Sequence, residues 1–195
     1  MQCRPAPISA LIIALLIAAP PVQAQVLDTA TRRIDLAGTA PAACVIAQPT
    51  ASQTVNASYA ATGTTSGQIT IAQLVDSQNA TSLESAIRLD LPVTCNSSHR
   101  VTVRSTNGAL VRTGAAAATT TLLPGGFAEA VNYQLGVNWA GATRSFGSDA
   151  RQTAIDTPQA AKGELTLNFS TTAGSGPLVA GQYTDSIVVE LIPAN

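Results

Sequence analysis

Hydrophobic and polar residues alternate most regularly over residues 87–95. Every second position is apolar: Ile87, Leu89, Leu91, Val93 and Cys95. Polar residues such as Arg88 and Asp90 lie between them, which is typical of a strand with one face in a core and the other in water. Pro92 lies on the polar side and lacks a backbone N–H, so we expect it at a sheet edge, a bulge or a strand end.

The same alternation recurs along the chain and predicts an all-β fold. It appears over residues 32–40, 99–105, 131–139, 165–169 and 183–191. Turn-forming residues separate these segments, and the pair Asn107–Gly108 is a strong tight-turn signal. No segment shows helical periodicity, and residues 48–68 show no clear pattern of either kind. Seven to nine short strands with turns between them predict a β-sandwich.

The N-terminal residues have the pattern of a secretory signal peptide. Arg4 is the only charged residue in positions 1–27, an apolar run follows over residues 8–19, and small residues end at Ala24. The run is shorter than the roughly 20 apolar residues of a membrane-spanning helix, and no later segment is apolar enough to span. We therefore expect a signal peptide over residues 1–24, an N-terminal strand over 25–40 and one domain over 41–195.

Two cysteines, Cys44 and Cys95, remain after removal of the signal peptide, which takes Cys3 with it. In an exported protein, two cysteines indicate one disulfide. Closing this loop would stabilise the fold by about 4 kcal/mol in the chain-entropy model. The alternative is a pair of free, buried thiols.

Composition argues for a folded chain that is not an enzyme. Hydrophobic residues make up 46 % and the net charge is −1, which excludes the signature of disorder and the basic face of a nucleic-acid-binding protein. His99 is the only histidine, and we expect it in a solvated turn. No nucleophile, metal-ligand or phosphate-loop motif occurs, and Asp149 and Asp156 match no calcium loop. We expect no catalytic residue, cofactor or metal.

Three segments resemble the spore coat protein U-like domain family, which includes the subunits of archaic (Csu-type) chaperone–usher pili. Residues 91–95 resemble the family's "xVxVTC" strand, and residues 34–46 resemble its first strand, which runs into a "C-x-I" element. Residues 181–189 resemble its "GxYxDxxxV" ending. The residues concerned are Gly181, Tyr183, Asp185, Ile187 and Val189. Residues 48–85 and 109–130 match no part of the family pattern.

The resemblance implies an immunoglobulin-like, pilin-type β-sandwich that is incomplete in the monomer. A periplasmic chaperone would fill the open groove first. At the outer-membrane usher, the N-terminal strand of another copy or a related subunit would replace it, with Ile34, Leu36 and Gly38 in the groove. The protein would then pass through the periplasm to the cell surface as part of a fimbrium.

A second hypothesis is a self-contained secreted β-sandwich that serves as a binding module, such as an adhesin or a coat protein. Under that hypothesis, residues 31–39 form an ordinary first strand that pairs within its own chain. The two hypotheses therefore differ in what this segment does.

Overall fold

The computed structural model describes residues 31–115, 122–174 and 176–194. The expected signal peptide, residues 1–24, lies outside these ranges. The chain divides into two compact units, Met1–Thr39 and Ala40–Asn195. Residues 31–39 are the described part of the first unit, and none of them belongs to a strand. The second unit contains all the strands given below.

The described residues form an all-β structure. The one helical element among them is a 3₁₀ turn at Ser148–Ala150. The strands are β1 (Cys44–Ile46), β2 (Thr50–Val55), β3 (Ala57–Ala61), β4 (Gly67–Ile71), β5 (Ser85–Cys95), β6 (His99–Ser105), β7 (Leu110–Arg112), β8 (Ala130–Val131), β9 (Tyr133–Trp139), β10 (Ala142–Gly147), β11 (Gln152–Thr157), β12 (Ala161–Thr171), β13 (Tyr183–Thr184) and β14 (Ile187–Pro193). The prediction of an all-β fold is confirmed.

Two antiparallel sheets enclose the main core in a sandwich-like arrangement. The larger sheet has the order β1-β5-β12-β9-β10, and β2 pairs with β5 on the same side as β1. The smaller sheet has the order β11-β6-β14. Buried side chains from β5, β6, β9, β11 and β12 pack together in one cluster. Two smaller sheets, β13-β7-β8 and the hairpin β3-β4, complete the described part of the fold.

Strand β5 lies inside the larger sheet, between β12 on one side and β1 and β2 on the other. Its apolar positions 87, 89, 91, 93 and 95 are all buried. β12 pairs with it along eleven residues, so that Leu91 lies opposite Leu165 and Ile87 opposite Phe169. Such directly opposed apolar side chains are a main source of stability between strands.

Pro92 lies within β5, in continuous register with β12, rather than at an edge, a bulge or a strand end, which corrects the expectation from sequence. The backbone N–H of Ala47 donates to the Pro92 carbonyl at 2.8 Å, so the nitrogen and carbonyl of Pro92 point toward the β1–β2 side of the strand. Strand β1 ends at Ile46 and β2 begins at Thr50. The missing N–H of Pro92 therefore faces an interruption in the neighbouring strands.

Two further expectations differ from the structure. Residues 32–40 belong to no strand, although their alternation predicts one. The strand predicted over residues 183–191 is split, because β13 pairs with β7 while β14 pairs with β6. The turn predicted at Asn107–Gly108 is present, and it connects β6 to β7, which belong to different sheets. Alternation specifies which face of a segment is apolar and not which strand will pair with it.

Candidate functional site

The disulfide predicted from sequence is present between Cys44 and Cys95. The two residues lie directly opposite each other in β1 and β5, with Cα atoms 4.2 Å apart. Beside the disulfide, Asn96 makes two hydrogen bonds with Ala43, the residue before Cys44. The Asn96 backbone N–H donates to the Ala43 carbonyl, and Asn96 Oδ1 accepts from the Ala43 N–H. The bond therefore ties the three-residue strand β1 to β5, its neighbour in the larger sheet.

His99 is buried, so the prediction that it lies in a solvated turn is wrong. Its side chain is only 3 % exposed. The Trp139 indole N–H donates to His99 Nε2 at 2.8 Å, and His99 Nδ1 lies 2.9 Å from the Ser97 carbonyl. The sequence held a signal for this burial, because His99 has the same parity as Val101 and Val103 in the alternating segment.

The two cysteine sulfurs and a ring nitrogen of His99 lie within 4.8 Å of one another. Cysteine and histidine at this spacing have the ligand chemistry of a zinc site. Here the sulfurs are bonded to each other, and both ring nitrogens of His99 have hydrogen-bond partners. The arrangement is therefore a structural cluster of a disulfide, a histidine and a tryptophan.

The carboxylate of Asp185, in the C-terminal motif, connects three parts of the fold. Its Oδ2 accepts hydrogen bonds from Ser105 Oγ at 2.5 Å and from the Tyr133 hydroxyl at 2.6 Å. Its Oδ1 accepts from the backbone N–H groups of Asn107 and Ser186, at 2.8 and 2.6 Å. Burial and, secondly, the hydrogen bond to Asp185 raise the pKa of Tyr133 above its ordinary value. The start of β14 is thus held to the end of β6 and to β9.

The first half of the same motif packs elsewhere. The Tyr183 hydroxyl donates to the Val179 carbonyl at 2.7 Å, and its ring packs on a second small core of Ala128, Val131 and Leu178. Burial raises the pKa of Tyr183. At Gly181, φ is +154°, and an added Cβ would lie 3.0 Å from Arg112 Cγ. The chain over residues 181–189 therefore passes from the second small core to the main core at Asp185.

Strand β14 has one bare edge. It pairs with β6 over its whole length, and no other strand of the described residues pairs with it. Its core-facing side chains, Ile187, Val189 and Leu191, are only partly buried, whereas every core-facing residue of β6 and β9 is buried. The sequence predicted the correct face of this strand but a deeper burial than the structure has.

The sandwich has two sides at which edge strands of the larger and the smaller sheet approach each other, and these sides are closed to different extents. On one side, β10 continues through the 3₁₀ turn into β11 and packs beside it, which joins the two sheets. On the other side, the short strand β1 approaches β14. The three residues of β1 are too few to cover the seven residues of β14. The hairpin β3-β4 packs on the same core, and its contributing side chains are also only partly buried: Ala57, Tyr59, Ile69 and Ile71.

The candidate donor residues lie in an exposed segment. Ile34 is 77 % and Leu36 is 96 % exposed. Arg33 Nε donates to Asp35 Oδ1 at 2.6 Å. In an extended backbone, Ile34 and Leu36 would share the side opposite to this pair. A Cβ added at Gly38 would have no atom within 4 Å.

Comparison with family models, curated proteins and solved structures finds no match to this chain. Within the described residues, no helix has the length and hydrophobicity that crossing a membrane requires.

Proposed function

We propose that the chain is a structural subunit of a cell-surface fibre, in which one copy donates its N-terminal segment to the bare edge of another. The observation that carries this proposal is that, among the described residues, β14 pairs with another strand on one edge only and that its core-facing side chains are only partly buried. An unpaired strand edge exposes a row of backbone N–H and C=O groups that can pair with an added strand. Here that edge lies beside apolar side chains that their own chain leaves partly uncovered.

The segment around Ile34 and Leu36 has the features of the added strand. Its residues belong to no strand or helix, and once extended it would carry two large, exposed apolar side chains on one side and the Arg33–Asp35 ion pair on the other. Burying Ile34 and Leu36 would contribute about 2–3 kcal/mol each, and the backbone ladder would set the register. Gly38 would fit where the groove narrows, because it has no side chain.

The resemblance of residues 34–46, 91–95 and 181–189 to the spore coat protein U-like family supports the same proposal. It adds an immunoglobulin-like, pilin-type topology, a periplasmic chaperone that protects the edge before assembly, and an outer-membrane usher. A bare apolar edge is an aggregation hazard, which gives the chaperone a physical role. The mature subunit is then exported through the periplasm to the cell surface.

The test uses the mature protein lacking residues 25–39, produced with a chaperone, and a synthetic peptide of residues 30–40. The peptide should bind the truncated protein. Leu36→Asp in the peptide should abolish binding, whereas Ala37→Asp on the opposite side should weaken it little. In the protein, Val189→Asp should prevent binding more strongly than the matched control Val188→Asp, because Val189 faces the core.

Peptide binding is measured by fluorescence anisotropy, and assembly of the full-length protein by electron microscopy. A full-length protein that is a stable monomer without a chaperone, together with a truncated protein that does not fold, would refute the fibre proposal. That outcome would instead support a self-contained binding module whose residues 31–39 are an internal strand.

A further inference from the structure

The only histidine and the only tryptophan of the chain are hydrogen-bonded to each other beside the Cys44–Cys95 disulfide. An indole N–H can only donate a hydrogen bond, so His99 Nε2 must accept and carries no proton. The Ser97 carbonyl can only accept, so His99 Nδ1 carries the proton. Both partners thus require the same neutral form of the ring.

Protonation of His99 is incompatible with this arrangement. A protonated imidazole has a donor at both nitrogens, so Nε2–H would face the indole N–H across the 2.8 Å that now separates the two nitrogens. The hydrogen bond would be lost, and a charge would remain in a site where the side chain is 3 % exposed. Burying a charge without a partner is costly.

No free carboxylate among the described neighbours of His99 compensates that charge. The charged residues adjacent to it in the sheet are Arg100 and Asp156, and the Asp156 carboxylate accepts two hydrogen bonds from Arg100, at 2.6 and 3.0 Å. The other elements around the ring, β1, β5, β9, β11 and β14, present to it the disulfide cysteines and uncharged side chains. These residues are Cys44, Cys95, Trp139, Thr157 and Pro193.

His99 contributes to the lining of a surface groove of about 520 Å³, together with Ser98, Thr157 and Ile192. His99 also lies opposite Thr157 of β11 and Pro193 of β14. Movement of its ring would therefore loosen the ends of two strands and uncover the disulfide.

We infer that the His99–Trp139 hydrogen bond makes the fold pH-sensitive. The bond keeps the disulfide end of the sandwich closed at neutral pH, and it breaks when His99 takes up a proton, so that this end opens. This inference does not depend on the proposed function. As the pH falls into the acid range, the equilibrium constant for opening should rise by up to about tenfold per pH unit, as expected for uptake of one proton on opening.

The experiment compares the mature wild-type protein with His99→Gln between pH 7.5 and 5. A glutamine amide offers an oxygen to the Trp139 indole and an N–H to the Ser97 carbonyl but cannot be protonated. In the wild type, Trp139 emission should shift to longer wavelength in acid, and reduction of the disulfide by a phosphine should accelerate. In the variant, both quantities should change much less, after correction for the reductant's own pH dependence on a model disulfide.

Equal pH responses in the two proteins would overturn the inference. A second measurement applies if His99→Gln does not fold. In NMR spectra of the wild type, the single histidine ring and the single indole N–H are each assigned without ambiguity. Loss of the protected indole signal in step with ring protonation supports the inference, and an indole N–H that stays protected while the ring is charged refutes it.

Discussion

Replacing Asp185 by asparagine should weaken the fold substantially, because one carboxylate serves four donors. Oδ1 must remain toward the backbone N–H groups of Asn107 and Ser186, which cannot reverse their direction. The new amide N–H₂ then faces Ser105 Oγ and the Tyr133 hydroxyl, both of which donate to the aspartate. Ser105 Oγ already accepts from the Gly108 N–H, so its capacity to accept again is limited.

The size of the effect follows from the change in the acceptor. A hydrogen bond to a charged group contributes about 1.5–3 kcal/mol and a neutral one about 1 kcal/mol. Two of the four bonds become neutral, and two require hydroxyl groups to reverse, so we expect a loss of about 2–4 kcal/mol. The split between β13 and β14 occurs at this residue, and the variant should therefore also free the start of β14.

Urea unfolding followed by Trp139 fluorescence measures this loss, since the one indole is only 1 % exposed. Glu190→Gln is the matched control, because Glu190 lies on β14 with its side chain exposed; its effect should stay within about 0.5 kcal/mol. If Asp185→Asn unfolds at the same urea concentration as the wild type, the four hydrogen bonds do not carry the stability assigned to them.

Two other substitutions test the larger sheet. Replacing Cys44 and Cys95 together by serine should cost about 4 kcal/mol by the loop-entropy model, measured by urea unfolding, and an unchanged midpoint would contradict it. Burial acts to raise the pKa of Asp90, but hydrogen bonds from Arg88, Ser52 and Thr166 outweigh it and lower the pKa below 3.8. Asp90 therefore stabilises the fold above about pH 4 and loses this effect as the pH falls further. Asp90→Asn should be less stable than the wild type by about 1 kcal/mol at pH 6, and the difference should shrink as the pH falls through the lowered pKa of Asp90. A difference that persists in strong acid would contradict the ion-pair explanation.

The most regular segments of the sequence were enough to predict the core. Residues 87–95 and 131–139 alternate without interruption, and each apolar position in them is buried. Period-two alternation indicates directly which side of a strand faces away from water. The disulfide between Cys44 and Cys95 was predicted by counting the cysteines that follow the expected signal peptide. These inferences need no knowledge of which strands are neighbours.

Strands β2 and β3 were not predicted, because their residues are mostly small, polar and exposed. β2 (Thr50–Val55) lies at the edge of the larger sheet and is held mainly by backbone pairing with β5. Backbone hydrogen bonds are available to nearly every residue type, so they leave little trace in a sequence. Pairing with β5, and not the residue composition of β2, makes this segment a strand.

The sequence by itself determined an all-β chain, the parity of its apolar faces and its disulfide. The tertiary structure decided which edges are paired: that Pro92 faces a gap between β1 and β2, that His99 is buried against Trp139, and that β14 keeps one bare edge. The physical reason is that hydrophobic periodicity is a local property of the chain. Strand pairing and side-chain hydrogen bonds depend on residues that are far apart in sequence and meet only when the sheets assemble.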